Sequence, residues 1–76
     1  MIDLDAEIRR AQRRHPEWRY GQAVWNVASE RFPRECDGLL QTSVDPFYSD
    51  IRVPLFLAAL RDEGAKFTTK KIGVRA

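Results

Sequence analysis

The sequence predicts an all-α fold, a small compact bundle of three to five short helices with an irregular basic C-terminal tail. Apolar side chains recur at three- and four-residue spacing, which is the period of a helix. Aspartates, prolines and a glycine stand where these runs begin or end. The connections are short, which favours packing between neighbouring helices. With 76 residues, the chain is expected to form one helical domain over residues 1–64, followed by the tail, 65–76.

The first helix is expected to begin at Asp3 or Asp5 and to end near Arg14. Its apolar positions follow helical spacing and form a single stripe: Leu4, Ile8 and Ala11. Its arginines fall largely off that stripe. Acidic residues at the start and arginines at the end also suit the helix dipole.

The second helix is expected to take Pro16 into its first turn and to end near Phe32, because His15 precedes proline and breaks the first helix. Gly21 lies inside this helix, where glycine costs about 1 kcal/mol relative to alanine. We predict that Gly21 forms a notch for an aromatic side chain from elsewhere, Phe47 or Phe56. The face around the notch follows helical spacing: Trp18, Gly21, Val24, Trp25, Ala28 and Phe32.

Three shorter elements complete the bundle. A third helix is predicted over Pro33–Leu40, and a single helical turn over Asp45–Tyr48. Asp50 is expected to cap a last helix that reaches Glu63, with Gly64 just beyond its end. The buried face of this helix is predicted to hold four apolar residues: Val53, Phe56, Leu57 and Leu60. The remaining segment has weak extended character.

The composition excludes several classes of protein. A single cysteine, Cys36, cannot form an internal disulfide, and secreted domains of this size usually need several. The chain shows no signal-peptide pattern, and its longest apolar window, 53–60, is too short to span a bilayer. These features favour a cytoplasmic protein without a membrane partner.

Catalysis is not expected. Cys36 would need a nearby base, and the one histidine, His15, is predicted on a different part of the bundle. The acidic residues are scattered, so we expect no metal site and no cofactor. The glycines are isolated and form no phosphate-binding loop. The sequence therefore predicts a protein that is not an enzyme.

The aromatic residues around the second helix predict a surface that contacts a protein partner. Trp and Tyr are enriched among the residues that dominate interface energy, and an arginine between them adds hydrogen-bond donors. The predicted contact residues are Trp18, Arg19, Tyr20 and Tyr48. Gln22 and Asn26 are one turn apart on a flank of the helix, where a structural role is favoured over a contact with the partner.

Nucleic-acid binding is the alternative, because the two ends of the chain are basic and the middle is acidic. The residues for this role are Arg9, Arg10, Arg13 and Arg14 in the first helix and Lys66, Lys70, Lys71 and Arg75 in the tail. Two features oppose it. The acidic middle would repel a phosphate backbone, and the break at 15–17 does not look like the turn of a helix-turn-helix.

The segment PEWRYGQ with Asn26 downstream, the proline turn at Pro33, and DPFYSD followed by an apolar helix together carry a resemblance. They resemble a family of short bacterial and phage-encoded proteins that has no known activity. The resemblance covers roughly residues 15–61 and implies a bacterial or viral cytoplasmic setting. The basic tail lies outside it.

The leading hypothesis is a non-enzymatic helical module that docks on a larger protein, for example as a phage-encoded inhibitor or accessory factor. The absence of a catalytic constellation, the aromatic residues and the uneven charge favour it. Homodimerisation is left open, because a domain this small with spare aromatics can complete its core against a second copy.

Overall fold

The computed structural model describes residues 2–39 and 49–69. Within these ranges the chain is mostly helical, as the sequence predicts, but it is not purely so, because a short parallel strand pair joins residues 2–3 to residues 67–68. In chain order the elements are β1 (Ile2–Asp3), α1 (Leu4–Arg14), α2 (Tyr20–Arg31), α3 (Pro33–Asp37), a 3-10 helix (Asp50–Arg52), α4 (Val53–Asp62) and β2 (Phe67–Thr68). The predicted turn over Asp45–Tyr48 lies outside the described residues.

Helix α1 begins as the sequence predicts, with Asp3 as its cap. The Asp3 carboxylate accepts a hydrogen bond from the Ala6 N–H at 3.1 Å, which satisfies one of the free donors of the first turn. Leu4 and Ile8 are fully buried, so the predicted stripe does face the core. The helix ends at Arg14, and the N–H of the next residue, His15, donates the last helical hydrogen bond to the Ala11 carbonyl.

Helix α2 begins later than predicted, at Tyr20 instead of in the turn that contains Pro16. The segment after His15 forms a tight turn, closed by a hydrogen bond from the Trp18 N–H to the His15 carbonyl at 3.0 Å. Arg19 is then extended, and its N–H donates to Gln22 Oε1 at 2.9 Å. Gln22 therefore has the structural role we favoured, because its side chain caps its own helix.

Helix α3 is shorter than predicted and ends at Asp37. Its Cys36 is buried, and Leu39 just beyond it is buried as well. The last residue of the predicted helix, Leu40, lies outside the described residues. Gly38, at the end of α3, has ordinary right-handed helical angles.

Helix α4 follows the 3-10 helix and tolerates a proline, Pro54, in its first turn, where no N–H is required. The predicted buried face is confirmed: Val53, Phe56, Leu57 and Leu60 are all buried. Gly64 lies just past its end with φ +106°, as the sequence predicts. The Gly64 N–H bonds the Arg61 carbonyl at 3.0 Å and the Ala65 N–H bonds the Leu60 carbonyl at 3.2 Å, which is a Schellman motif.

The two strands pair in parallel, with Ile2 opposite Phe67 and Asp3 opposite Thr68. Phe67 is only 4% exposed and belongs to the core. Its ring packs on Phe32 with centroids 5.7 Å apart, and the Arg61 guanidinium lies 4.4 Å from its centroid. The first residues after Gly64 therefore complete the core, and the division of the chain at residue 64 stays a prediction.

The core lies between α1, α2 and α4 and is closed by β2. One ring contact joins α2 to α4: Trp25 and Phe56 pack with centroids 5.4 Å apart and planes tilted by 48°. Trp25 lies one turn after Gly21, so this contact does not test the predicted notch, which stays a prediction. Phe47, the other predicted occupant, lies outside the described residues. At Gly21 itself, the structure shows a hydrogen bond to a carboxylate, described below.

Candidate functional site

A groove runs between α1 and α2, and we call it the α1/α2 groove. It opens into a cavity of about 210 Å³ at one end and continues into a second of about 150 Å³. Four residues line both cavities: Ala11, Arg14, Val27 and Glu30. The larger cavity is completed by His15, Trp18 and Asn26, and the smaller one by Glu7, Arg10 and Arg31.

The aromatic end of the groove is built by the turn that delays α2. Trp18 stacks on His15, with ring centroids 3.9 Å apart and planes 15° from parallel. His15 Nδ1 also lies 3.4 Å from Glu17 Oε2. Trp18 is half-buried and packs against the core, so the cavity is lined by a ring that the fold holds in place.

The centre of the groove carries polar groups that the fold does not use. The Asn26 side-chain amide makes no hydrogen bond within the described part of the chain; only its main-chain carbonyl accepts, from the Ser29 hydroxyl at 3.1 Å. Arg10 and Arg14 form no ion pair with any described carboxylate. A half-buried amide and two cations are therefore available in one small space.

The far end of the groove is closed by an ion pair between the two helices. Arg31 Nε donates to Glu7 Oε1 at 2.7 Å, and this hydrogen bond raises the pKa of the Arg31 guanidinium. The pair fixes the two helices at this end. Arg31 is therefore paired with Glu7, whereas Arg10 and Arg14 form no such ion pair within the described chain.

The start of α2 is held by a carboxylate from the 3-10 helix. Asp50 Oδ1 accepts a hydrogen bond from the Gly21 N–H at 2.8 Å, one of the donors that a helix N-terminus leaves free. The expectation that Asp50 caps its own helix is therefore wrong, because its side chain is bound to α2. The same contact brings Ile51 next to the start of α2.

Tyr20 lies in this polar region and not on an open surface. It is half-buried, and burial of its hydroxyl, together with the nearby carboxylates of Asp5 and Asp50, raises its pKa to about 12. Asp5 is only 5% exposed, and Arg9 Nη1 lies 3.0 Å from its Oδ2. That oxygen accepts no hydrogen bond in the described chain. Arg9 therefore interacts with Asp5 through charge, and none of its N–H groups points at the oxygen in hydrogen-bonding geometry.

An apolar patch is exposed where the 3-10 helix meets α4, and we call it the α4 patch. It consists of Ile51, which is 86% exposed, and Leu55, which is 58% exposed. They are one turn apart, and Ala58 continues the exposed side of α4 by another turn. Large apolar side chains exposed together are typical of a contact surface.

The predicted partner-binding residues are placed in different surroundings. Trp18 lines the α1/α2 groove, Arg19 is exposed at the cap of α2, and Tyr20 is half-buried beside two carboxylates. Tyr48 lies outside the described residues. The α4 patch was not predicted. The spacing of apolar residues in the last helix was used to identify only its buried side.

The arginines predicted to bind nucleic acid also lie in different surroundings. Arg10 and Arg14 line the groove, Arg13 is exposed without lining it, and Arg9 is paired with Asp5. Lys66 is exposed on the segment before β2. The remaining tail residues of this set, Lys70, Lys71 and Arg75, lie outside the described ranges.

Across residues 2–39 and 49–69, no helix is long and apolar enough to cross a bilayer. In the same ranges, no group of three or more Asp, Glu, His or Cys side chains is arranged to hold a metal ion. Comparison with protein-family models, curated proteins and solved structures gives no significant match.

Proposed function

We propose that this protein is a non-enzymatic interaction module that docks on a larger protein through the α4 patch. The observation that carries the proposal is the exposure of Ile51 and Leu55, 86% and 58%, on consecutive helical turns. Burying an aliphatic side chain contributes about 1.5–3 kcal/mol, so a partner that covers both residues gains appreciable binding free energy.

The patch is presented by a helix that is already fixed. The opposite side of α4 is buried in the core through Phe56 and Leu60, and Asp50 anchors the preceding 3-10 helix to α2. A surface that needs no ordering loses little conformational entropy when a partner binds. This rigidity supports recognition by docking.

A charged residue adjoins the patch. Arg52 is exposed between Ile51 and α4. An apolar centre with a polar rim is the usual anatomy of a protein interface, and arginine is enriched in such interfaces. We therefore expect the partner surface to be apolar at its centre with carboxylates around it.

The setting is proposed from the resemblance alone: a bacterial or phage protein of the cytoplasm that acts as an inhibitor or accessory factor. Tyr48 remains a proposed contact residue, as does Trp18 through its accessible edge. Tyr20 contributes by positioning, since its hydroxyl lies near Asp5 and Asp50.

The test compares a patch variant with a matched surface variant. Immobilised wild-type protein, the double variant Ile51→Gln/Leu55→Gln and the control Arg34→Gln are used to capture partners from a lysate of the source cell. Arg34 is exposed on α3, so the control introduces the same side chain elsewhere. We expect the wild type and the control to capture a partner protein in stoichiometric amount. The patch variant should capture about tenfold less of that partner.

Two results would contradict the proposal. One is a partner captured equally by all three proteins, which would place the contact elsewhere. The other is a concentration-dependent dimer in light scattering that the patch substitutions abolish, which would make the occupant of the patch a second copy of this chain.

A further inference from the structure

We propose that the α1/α2 groove is a second binding site, and that it takes one unpaired nucleotide of a single-stranded nucleic acid. The base lies in the larger cavity against Trp18, and its phosphate lies at Arg14 and Arg10. This site shares no residue with the α4 patch, and Trp18 is the one groove residue also proposed as a docking contact, so the site can exist without docking through Ile51 and Leu55.

The aromatic end of the groove suits a base. A cavity of about 210 Å³ beside a fixed indole is small for a drug-sized ligand but has room for a planar ring. Bases of single strands are commonly held by stacking on aromatic side chains, since every base has a π face. The stacked His15 beneath this end adds rigidity to Trp18.

The cationic wall suits a phosphate. Arg10 and Arg14 are one turn apart on α1, and both line the second cavity of about 150 Å³, which continues from the first. Neither forms an ion pair with a described carboxylate, so their donors are available. A guanidinium binds phosphate through two parallel N–H groups, which fixes the ligand's orientation.

The opposite wall, on α2, can read the edge of the base. Asn26 and Glu30 are one turn apart, and the Asn26 amide has both a donor and an acceptor unused within the described chain. Glu30 supplies only acceptors, so it favours a base that carries an exocyclic amine. Cytosine and adenine therefore fit better than thymine or uracil.

The groove suits a nucleotide better than an acidic peptide. Glu30 lines both cavities and disfavours any anion close to it, so the phosphate must lie on the α1 side, at Arg10 and Arg14. An acidic peptide would meet the same repulsion and would have no group to stack on Trp18 or to pair with the Asn26 amide. Glu7 is neutralised by Arg31 and does not oppose a phosphate at Arg10. A recessed groove also favours a splayed single-stranded nucleotide over the stacked bases of a duplex.

The test uses fluorescence anisotropy of labelled oligo(dC), oligo(dA) and oligo(dT) at low salt, with wild-type protein and two single variants. Arg14→Ala removes a groove cation, and Arg13→Ala removes its exposed neighbour in the same last turn of α1. Both variants lose one positive charge near the helix C-terminus, so they differ only in the groove. Thermal melting by circular dichroism checks that each variant is folded.

We expect saturable binding that is tighter for oligo(dC) and oligo(dA) than for oligo(dT). Arg14→Ala should weaken it by about tenfold, whereas Arg13→Ala should change it by about twofold or less. A third variant, Trp18→Ala, should weaken it by about tenfold through loss of stacking. If Trp18→Ala unfolds, the comparison of Arg14→Ala with Arg13→Ala still tests whether the groove binds the oligonucleotide.

Three results would overturn the proposal. Absence of binding at low salt would exclude a nucleic-acid site. Equal losses for Arg13→Ala and Arg14→Ala would show diffuse charge attraction without use of the groove. Displacement of the oligonucleotide by poly-glutamate as effectively as by unlabelled oligonucleotide would assign the groove to acidic peptides.

Discussion

The start of α2 and the end of α4 show two ways of satisfying a helix terminus. At the end of α4, Gly64 and Ala65 close the helix through hydrogen bonds to carbonyls of its own last turn. At the start of α2, Gln22 satisfies one donor locally, but the Gly21 N–H is bound by Asp50, from a distant part of the chain. One terminus is completed by neighbouring residues and the other requires the tertiary fold.

This difference predicts different consequences when each terminus is disturbed. A local motif fails through backbone strain at one residue, without breaking a hydrogen bond between separate elements. A long-range cap fails by releasing the 3-10 helix from α2, and it leaves a partly buried N–H without a partner. The start of α2 should therefore be the more sensitive of the two.

The largest effect is expected for Asp50→Ala, which removes the acceptor for the Gly21 N–H. We expect the free energy of unfolding to fall by about 2 kcal/mol, since hydrogen bonds to charged groups are the strong ones. Urea denaturation followed by circular dichroism measures this change. Asp50→Asn keeps an acceptor oxygen and should lose less than half as much; equal losses would show that charge alone matters.

A smaller effect is expected for Gly64→Ala. A Cβ at this position would meet no heavy atom within 4 Å, so the cost comes only from the backbone at φ +106°. We expect a loss of about 1 kcal/mol. Gly38→Ala is the matched control, because Gly38 has φ −71° and its added Cβ would lie 3.8 Å from the Glu35 carbonyl oxygen, an ordinary contact.

For that control, the melting temperature should stay the same or rise slightly, since alanine restricts the unfolded chain more than glycine does. A loss at Gly38 equal to that at Gly64 would contradict the assignment of the cost to the left-handed conformation of Gly64.

The smallest effect concerns the polar surroundings of Tyr20 at the start of α2. Burial and the carboxylates of Asp5 and Asp50 raise its pKa to about 12 from 10.0. The folded state favours the neutral phenol, whereas the unfolded chain ionises it near pH 10. The contribution of Tyr20 to the free energy of unfolding is therefore fully present below pH 10 and is lost as the pH rises towards 12. Because the side chain is partly exposed, solvent screening limits the loss to below about 1 kcal/mol.

Urea denaturation at pH values on both sides of 10 measures this loss, and Tyr20→Phe is the control, since it keeps the ring and removes the titration. The difference in stability between wild type and Tyr20→Phe should shrink or reverse as the pH rises. A difference that is independent of pH would show that the hydroxyl does not experience the two carboxylates.

The features that were predicted from sequence are those with local causes. The Asp3 cap, the apolar stripe of α1, the buried face of α4 and the role of Gly64 each depend on residues within one or two turns. The late start of α2 was missed because Pro16 is compatible with both a first helical turn and a non-helical turn. Hydrogen bonds at Arg19 and Gly21 decide between them.

The candidate site was predictable only in part, because it is assembled from separate elements. Trp18, Arg10 and Arg14 were singled out by residue type, but the sequence assigned the tryptophan and the arginines to different hypothetical surfaces. The packing of α1 on α2 brings all three to one groove. Ile51 and Leu55 were missed since an apolar residue near a helix start is usually buried.

The strand pair of Ile2 with Phe67 also constrains how the protein can be made and rearranged. During synthesis, α1 and α2 can pack long before Phe67 leaves the ribosome, so the closing contact of the core forms last. A shift in register between the two strands would move Phe67 out of the core, so the pairing also limits rearrangement of these segments.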